Sequence, residues 1–161
     1  MAMSIRRILV PIDFSEHSLY ALDYAASIAQ DAKAELVLVH VVERTPYEVY
    51  SAQGILPDVP MYPLVNNELM DPEYVQNETK KQLDKLALKH RAVATTVVVV
   101  GHPVEELLAA AKAQKCDLIV ICTHGRTGLP HLVLGSVAEK IVRLSPIPVL
   151  TLRAAHLKDR D

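Results

Sequence analysis

The sequence predicts an α/β fold, a doubly wound five-stranded parallel sheet with helices on both faces, Rossmann-like, in a single domain spanning 1–161 with a long loop at about 43–70. Three observations carry this. Five short β-branched apolar runs alternate with helix-like segments along the chain. The runs are continuously apolar rather than alternating, which is the pattern of strands buried on both faces under covering helices. Half of the residues are apolar but only 4% are aromatic, so Val, Leu, Ile and Ala build the core, a composition that suits helices on a parallel sheet better than an antiparallel sandwich.

The first run is Ile8 to Ile12. A helix is expected to start near Ser15, whose hydroxyl can cap it, and to carry Leu19, Leu22, Ala25, Ala26 and Ala29 on one face. The second run is Leu36 to Val42. Residues 43–70 follow, with Pro46, Pro57, Pro60 and Pro63 and no sustained period. That is too long for a plain connector, and its three tyrosines and Met61 make it either a cover for a ligand or an ordinary surface loop. Asp71-Pro72 then opens a helix running to about His90, with Val75, Leu83, Leu86 and Ala87 facing inward. The third run, Thr96 to Val100, leads to a helix beginning at Pro103 that buries Val104, Leu107, Leu108 and Ala111. The fourth run, Leu118 to Ile121, is followed by a helix from Gly135-Ser136 that buries Val137, Ile141 and Leu144. The last run, Ile147 to Leu152, is flanked and interrupted by Pro146 and Pro148, which places it at a sheet edge because proline donates no ladder hydrogen bond. An apolar edge invites pairing with a second copy, so a homodimer through Ile147–Leu152 is expected.

Charge and pattern exclude several function classes. With 17 basic and 19 acidic residues the net charge is −2, and no Lys/Arg cluster offsets it, so no nucleic-acid partner is expected. No apolar stretch approaches the roughly 20 residues that cross a bilayer, and the N-terminus runs into a strand without a signal-peptide core, so no membrane role and a cytoplasmic location are expected. Cys116 and Cys122 bracket a strand and stand roughly 20 Å apart, beyond disulfide reach, which suits a reducing compartment. The P-loop, the dinucleotide glycine pattern and the Gly-x-Ser-x-Gly elbow are all missing. The seven histidines show no ligand spacing, so no protein-held metal is expected.

In an open parallel sheet, ligands bind beyond the carboxyl ends of the strands. Those ends are Pro11-Ile12-Asp13, Val41-Val42, Gly101 and the stretch from Cys122 to Gly125. Three of the five glycines of the chain, Gly125, Gly128 and Gly135, fall between the fourth strand and the fourth helix, where glycine permits close backbone approach and the helix start can hold a phosphate. Asp13 suits a base amino group or a sugar hydroxyl, the neighbouring Ser15 being able to cap the helix itself. Gly101 serves either a tight turn or close ligand approach. His124 lacks a carboxylate and a nucleophile nearby in sequence, so binding outranks catalysis and no catalytic residue is assigned. Arg126 can pair with phosphate, and Ser136 can both cap its helix and donate to a phosphate.

These features together resemble the universal stress protein family over about Ile5 to Arg153. The resemblance rests on Ile8-Leu-Val-Pro-Ile-Asp-Phe-Ser15, Val39-His-Val41, Val100-Gly-His-Pro-Val-Glu-Glu106, Thr123-His-Gly-Arg-Thr-Gly128, Gly135-Ser-Val-Ala-Glu139 and Pro146-Ile-Pro-Val149. The ATP-binding branch of that family carries Gly, two residues, Gly, nine residues and Gly-Ser/Thr. Gly125, the nine residues Arg126 to Leu134 and Gly135-Ser136 match it, while the first glycine is Cys122 here. The resemblance implies an adenine nucleotide alpha hydrolase-like fold, with Pro11, Ile12, Asp13 and Val41 around adenine and ribose, Gly101 lining the site, and His124, Gly125, Arg126, Gly135, Ser136 and Val137 at the phosphates. It implies ATP or another adenine nucleotide as ligand, with Mg²⁺ or Mn²⁺ held by the phosphates, dimerisation through the last strand, an unidentified protein partner and a stress-response sensor or regulator role. The alternatives are a nucleotide-free dimeric interaction protein of the same fold, for which Cys122 speaks, and a slow ATP hydrolase. The Cys122 Cβ and sulfur cost affinity only where they point into the pocket.

Overall fold

The structure, a computed structural model, describes residues 4–43, 64–65, 68–69, 72–123 and 135–153. In chain order these form β1 (Arg7–Pro11), α1 (Glu16–Ala32), β2 (Glu35–Val42), β3 (Leu64–Val65), β4 (Glu68–Leu69), α2 (Pro72–Ala87), β5 (Val93–Val100), α3 (Pro103–Ala113), β6 (Leu118–Cys122), α4 (Ser136–Leu144) and β7 (Val149–Leu152). Five strands make one sheet in the order β5-β2-β1-β6-β7, every pair parallel. β3 and β4 pair antiparallel by themselves within the segment read from sequence as a loop.

Successive residues of each strand face opposite sides of the sheet, so a continuous apolar run feeds two cores. On one side Ile8, Val10, Ile12, Leu36, Leu38, Leu118, Val120 and Cys122 pack against Ala21, Leu22, Ala25 and Ala29 of α1 and Leu83 of α2. On the other, Leu9, Val37, Val39, Ile119 and Ile121 pack against Val104, Leu107, Ala110 and Ala111 of α3 and Ala138 and Ile141 of α4. Two helices per face is the doubly wound layout the apolar runs predict.

The helix ends follow local chemistry. Ser15 caps α1, its hydroxyl accepting the Ser18 N–H at 3.2 Å. At the far end Lys33 turns left-handed (φ 55°) and the Ala34 N–H closes on the Ala29 carbonyl at 2.8 Å. α2 stops at Ala87, short of the expected His90, because the Lys89 and His90 N–H groups bond three residues back and tighten the last turn. The buried stripe of α4 is Ala138 and Ile141, whereas Leu144, expected inside, is 54% exposed. It is the last residue of the helix, where the chain turns away toward β7. In α3, Ala110 is buried and Leu108 only half-buried.

β7 lies at the sheet edge, as its prolines require. It begins at Val149 rather than Ile147, since Pro148 has no N–H to offer; the Pro148 carbonyl still accepts the Ile119 N–H at 3.0 Å. Both cysteines are buried and unbridged. No helix among the described residues is long and apolar enough to cross a membrane.

Candidate functional site

Chain order and spatial order diverge at β1. From it the chain moves outward to β2 and β5 on one side, then returns to β6 and β7 on the other. Connections leaving such a strand in opposite directions open a crevice at its carboxyl end. A cavity of about 490 Å³ occupies that place. Its wall includes Pro11, Ile12 and Asp13 after β1, Val39 to Glu43 at the end of β2, Ile121 to Thr123 at the end of β6, and Gly135 to Ala138 at the start of α4. The volume is that of an ordinary small-molecule pocket.

Three walls have distinct chemistry. The first is main chain. The β1 ladder on β2 ends at Pro11 opposite Val39, and the Ile12 N–H makes the last rung to the Val39 carbonyl at 2.8 Å. β2 runs three residues further, paired only with β5 through Val42 opposite Val100. Alternate residues of a strand direct their backbone groups to the same side, so the N–H and C=O of Val41 face the side that β1 has vacated. A donor and an acceptor side by side on an apolar strand end can meet the edge of a heterocyclic base.

The second wall is acidic. Asp13 Oδ1 accepts the Ser15 N–H at 3.0 Å and the Ser15 hydroxyl at 2.5 Å. The Asp13 N–H in turn donates to Ser18 Oγ at 3.4 Å. Asp13 therefore supports the cap of α1 as well as lining the cavity. Between Asp13 and Ser15 the chain passes through Phe14 at φ 62°, a left-handed conformation that a non-glycine residue adopts at a cost of about 1–3 kcal/mol.

The third wall is the start of α4. Its N-cap is Gly135, which has no side chain to satisfy the first turn, and Ser136, Val137 and Ala138 of that turn line the cavity. Backbone N–H groups and the helix dipole favour an anion there. The Gly135 N–H donates to the Thr123 carbonyl at 2.5 Å, so the two ends of the glycine-bearing segment meet at one point. His124, Gly125 and Arg126 belong to 124–134, outside the described residues.

Cys122 lines the cavity and is buried, and its thiol donates to the Leu152 carbonyl of β7 at 3.3 Å. The same carbonyl accepts the Thr123 N–H at 2.9 Å. The polar end of the Cys122 side chain is thus engaged with β7. Gly101 is not among the cavity-lining residues. It follows β5, donating its N–H to the Val42 carbonyl at 3.0 Å, and a Cβ there would stand 2.5 Å from Glu106 Oε1. The glycine makes room for the Glu106 side chain.

Among the lining residues that the sequence reading did not assign to the site are His40, Ser18, Val75 and Thr79. His40 is the one polar residue in an otherwise apolar run from Leu36 to Val42, a visible signal in retrospect. Val75 and Thr79 are four apart, one turn of α2, but nothing in their types marks a site.

A five-stranded parallel sheet with helices on both faces and a cavity at its switch point places the protein in the Rossmann-like α/β class. The chain belongs to the universal stress protein family, whose family model matches residues 4–153. It is similar to the universal stress protein MJ0531 of Methanocaldococcus jannaschii, with 33% identity over 148 residues covering 92% of this chain and 82% of the relative. Among solved structures it is similar to MJ0577 of the same organism at TM-score 0.72 and 28% identity, covering 94% of this chain and 97% of that one. The fold is also that of the Archaeoglobus fulgidus universal stress protein solved in complex with dAMP, at TM-score 0.58 and 18% identity, covering 93% and 98%.

Proposed function

We propose that this universal stress protein binds ATP or a related adenine nucleotide in the switch-point cavity and acts in the cytoplasm as a stress-response sensor or regulator, working as a homodimer through β7. The observation that carries the proposal is the offset between β1 and β2. It presents the backbone edge of Val41 at one end of a cavity whose other end is the open start of α4. An adenine has adjacent ring-nitrogen acceptor and amino donor, the complement of a strand's N–H and C=O. Asp13, between the two ends, is placed for a sugar hydroxyl, and the first turn of α4 for phosphate. Mg²⁺ or Mn²⁺ would be held by the phosphates rather than by protein ligands. The engagement of the Cys122 thiol with Leu152 supports this reading over a nucleotide-free interaction protein, because the side chain's polar end is committed to β7. That a universal stress protein of this fold was solved with dAMP is in keeping with a purine ligand.

The test is the identity of any nucleotide released when purified protein is denatured, followed by calorimetry with ATP, ADP and AMP. Saturable binding is expected. Absence of heat at millimolar nucleotide, with a native circular dichroism spectrum, rejects the proposal. Sedimentation of the wild type against a Thr151→Pro variant tests the dimer, since an added proline on an edge strand blocks pairing.

A further inference from the structure

We infer that His40 is a positioning residue of this cavity, which takes the Ile12 carbonyl in place of the Val41 N–H and so keeps the Val41 edge available to a ligand. The inference deepens the nucleotide-binding reading and rests on it for the identity of the ligand, but the ladder geometry stands on its own.

In a parallel ladder, a strand residue whose N–H bonds to residue i of its neighbour offers its carbonyl to the N–H of residue i+2. The Ile12 N–H bonds to the Val39 carbonyl at 2.8 Å. The next rung is therefore Val41 N–H to the Ile12 carbonyl. That rung is absent among the described residues, and the ladder ends at Pro11 and Val39. The Ile12 carbonyl is instead met by His40 Nδ1 at 2.6 Å. A carbonyl only accepts, so Nδ1 carries the proton and donates. A side chain from the same strand thus stands in for the missing rung, and the buried carbonyl is satisfied without closing the sheet.

The ring also has an aromatic neighbour. The Phe14 ring lies 5.1 Å from the His40 ring, centroid to centroid, at 37°. Phe14 is the residue in the left-handed conformation, through which the chain leaves the line of β1. His40 also lines the cavity together with Ile12, Asp13 and Val41. Removal of its donor leaves the Ile12 carbonyl in need of a partner, a strong driving force for a group of a buried residue, and the Val41 N–H is the partner the ladder register supplies. The strand end then zips up and the base edge is lost.

Two variants separate this role from mere packing. His40→Phe keeps an aromatic ring against Phe14 but has no donor. His40→Asn loses the ring but keeps a donor at the position of Nδ1. Two measurements are made on each: amide hydrogen exchange of Val41 in the ligand-free protein, and ATP affinity by calorimetry. In His40→Phe, Val41 exchange is expected to slow about tenfold or more as its N–H gains the Ile12 carbonyl, and affinity for ATP to fall about tenfold or more. His40→Asn is expected to stay within about threefold of wild type in both. If His40→Phe does not fold, His40→Leu takes its place. Unchanged Val41 exchange in the donorless variant overturns the inference, as does a His40→Asn variant that behaves like His40→Phe. A wild type that binds no nucleotide, with the exchange effect intact, removes the ligand assignment while leaving the role of His40 at the ladder end in place.

Discussion

The thiol of Cys122 donates to the carbonyl of Leu152, 3.3 Å away on the edge strand, and both residues are buried. Cys122 is therefore tied to β7 by its side chain. Replacing Cys122 by glycine removes a packed side chain and a weak hydrogen bond and loosens the strand backbone, while the Leu152 carbonyl keeps the Thr123 N–H. Urea unfolding of Cys122→Gly is expected to show a loss of about 1–3 kcal/mol. Calorimetry is expected to show nucleotide affinity rising by less than about threefold. A larger gain would mean that the side chain obstructs the ligand.

Asp13 has two tasks. Its carboxylate accepts from the Ser15 N–H and hydroxyl, and it faces the cavity. Asp13→Ala is expected to cost about 1–2 kcal/mol of stability through the weakened start of α1. Nucleotide affinity should fall at least about tenfold, the scale of one lost charged hydrogen bond. A Ser15→Ala variant, which removes the cap and one hydrogen bond to the carboxylate but keeps the carboxylate and its bond from the residue 15 N–H, should lose comparable stability and less affinity; equal losses in affinity would reduce Asp13 to a capping residue.

On the face of α2 turned to β5, Lys80 donates to Asp84 at 2.5 Å and to Thr96 at 2.7 Å, and the Thr96 hydroxyl donates to the same Asp84 oxygen. Those hydrogen bonds, Lys80 first and then Thr96, hold the Asp84 carboxyl below its ordinary value of 3.8. A carboxylate whose folded pKa is lowered stabilises the protein above its unfolded pKa and stops doing so as pH falls through the folded one. The side chain is 49% exposed, so screening keeps the contribution to about 0.5 kcal/mol. Asp84→Asn is expected to lose about 0.5 kcal/mol at neutral pH in urea unfolding, a difference that disappears as pH falls below about 4 and that shrinks in 1 M salt.

Cys116 is buried, and burial pushes its thiol up to about 11. Only thiolates react quickly with disulfide reagents. In a Cys122→Ser background, native protein at pH 8 is expected to show no thiol titrating within minutes, and one full equivalent on denaturation. Rapid reaction of the native protein would mean that Cys116 is reached by local opening.

Gly101 tests a different use of glycine. A Cβ would meet Glu106 Oε1, Cγ and Cδ at 2.5, 2.7 and 2.9 Å. The obstacle is the far end of a flexible side chain, so Gly101→Ala is expected to cost no more than about 1 kcal/mol in thermal or urea unfolding, with Glu106 swinging outward. A loss well above that would show that the backbone itself cannot shift.

The strands and the helix starts were legible in the chain because they depend on local patterns. Continuous runs such as Leu36 to Val42 encode burial on two faces, and Ser15 and Pro103 encode helix starts by their own chemistry. Inward faces were legible in the main, with departures at Leu108, half-buried within α3, and at Leu144, which has the right phase in α4 but is the last residue of the helix. Within the site, the strand-end residues Pro11, Ile12, Asp13 and Val41 and the helix start Gly135 to Val137 could be read from order alone, and the cavity brings them together. Val75 and Thr79 could not, because their place on the wall depends on how α2 lies against β5.

What the sequence by itself determined is the chain order of the five strands of the main sheet and of the four helices, the parallel sheet, and the rim on which a ligand would sit. These follow from periodicity and from the rule that connections diverge at strand ends. Only the tertiary structure decided what the side chains on that rim do. The Cys122 thiol reaches Leu152, thirty residues later in sequence, and the His40 ring reaches Ile12, twenty-eight earlier. Each of those hydrogen bonds joins residues that are distant along the chain and adjacent only after the strands have paired. Their partners are set by strand order and register, which no local pattern of residues encodes.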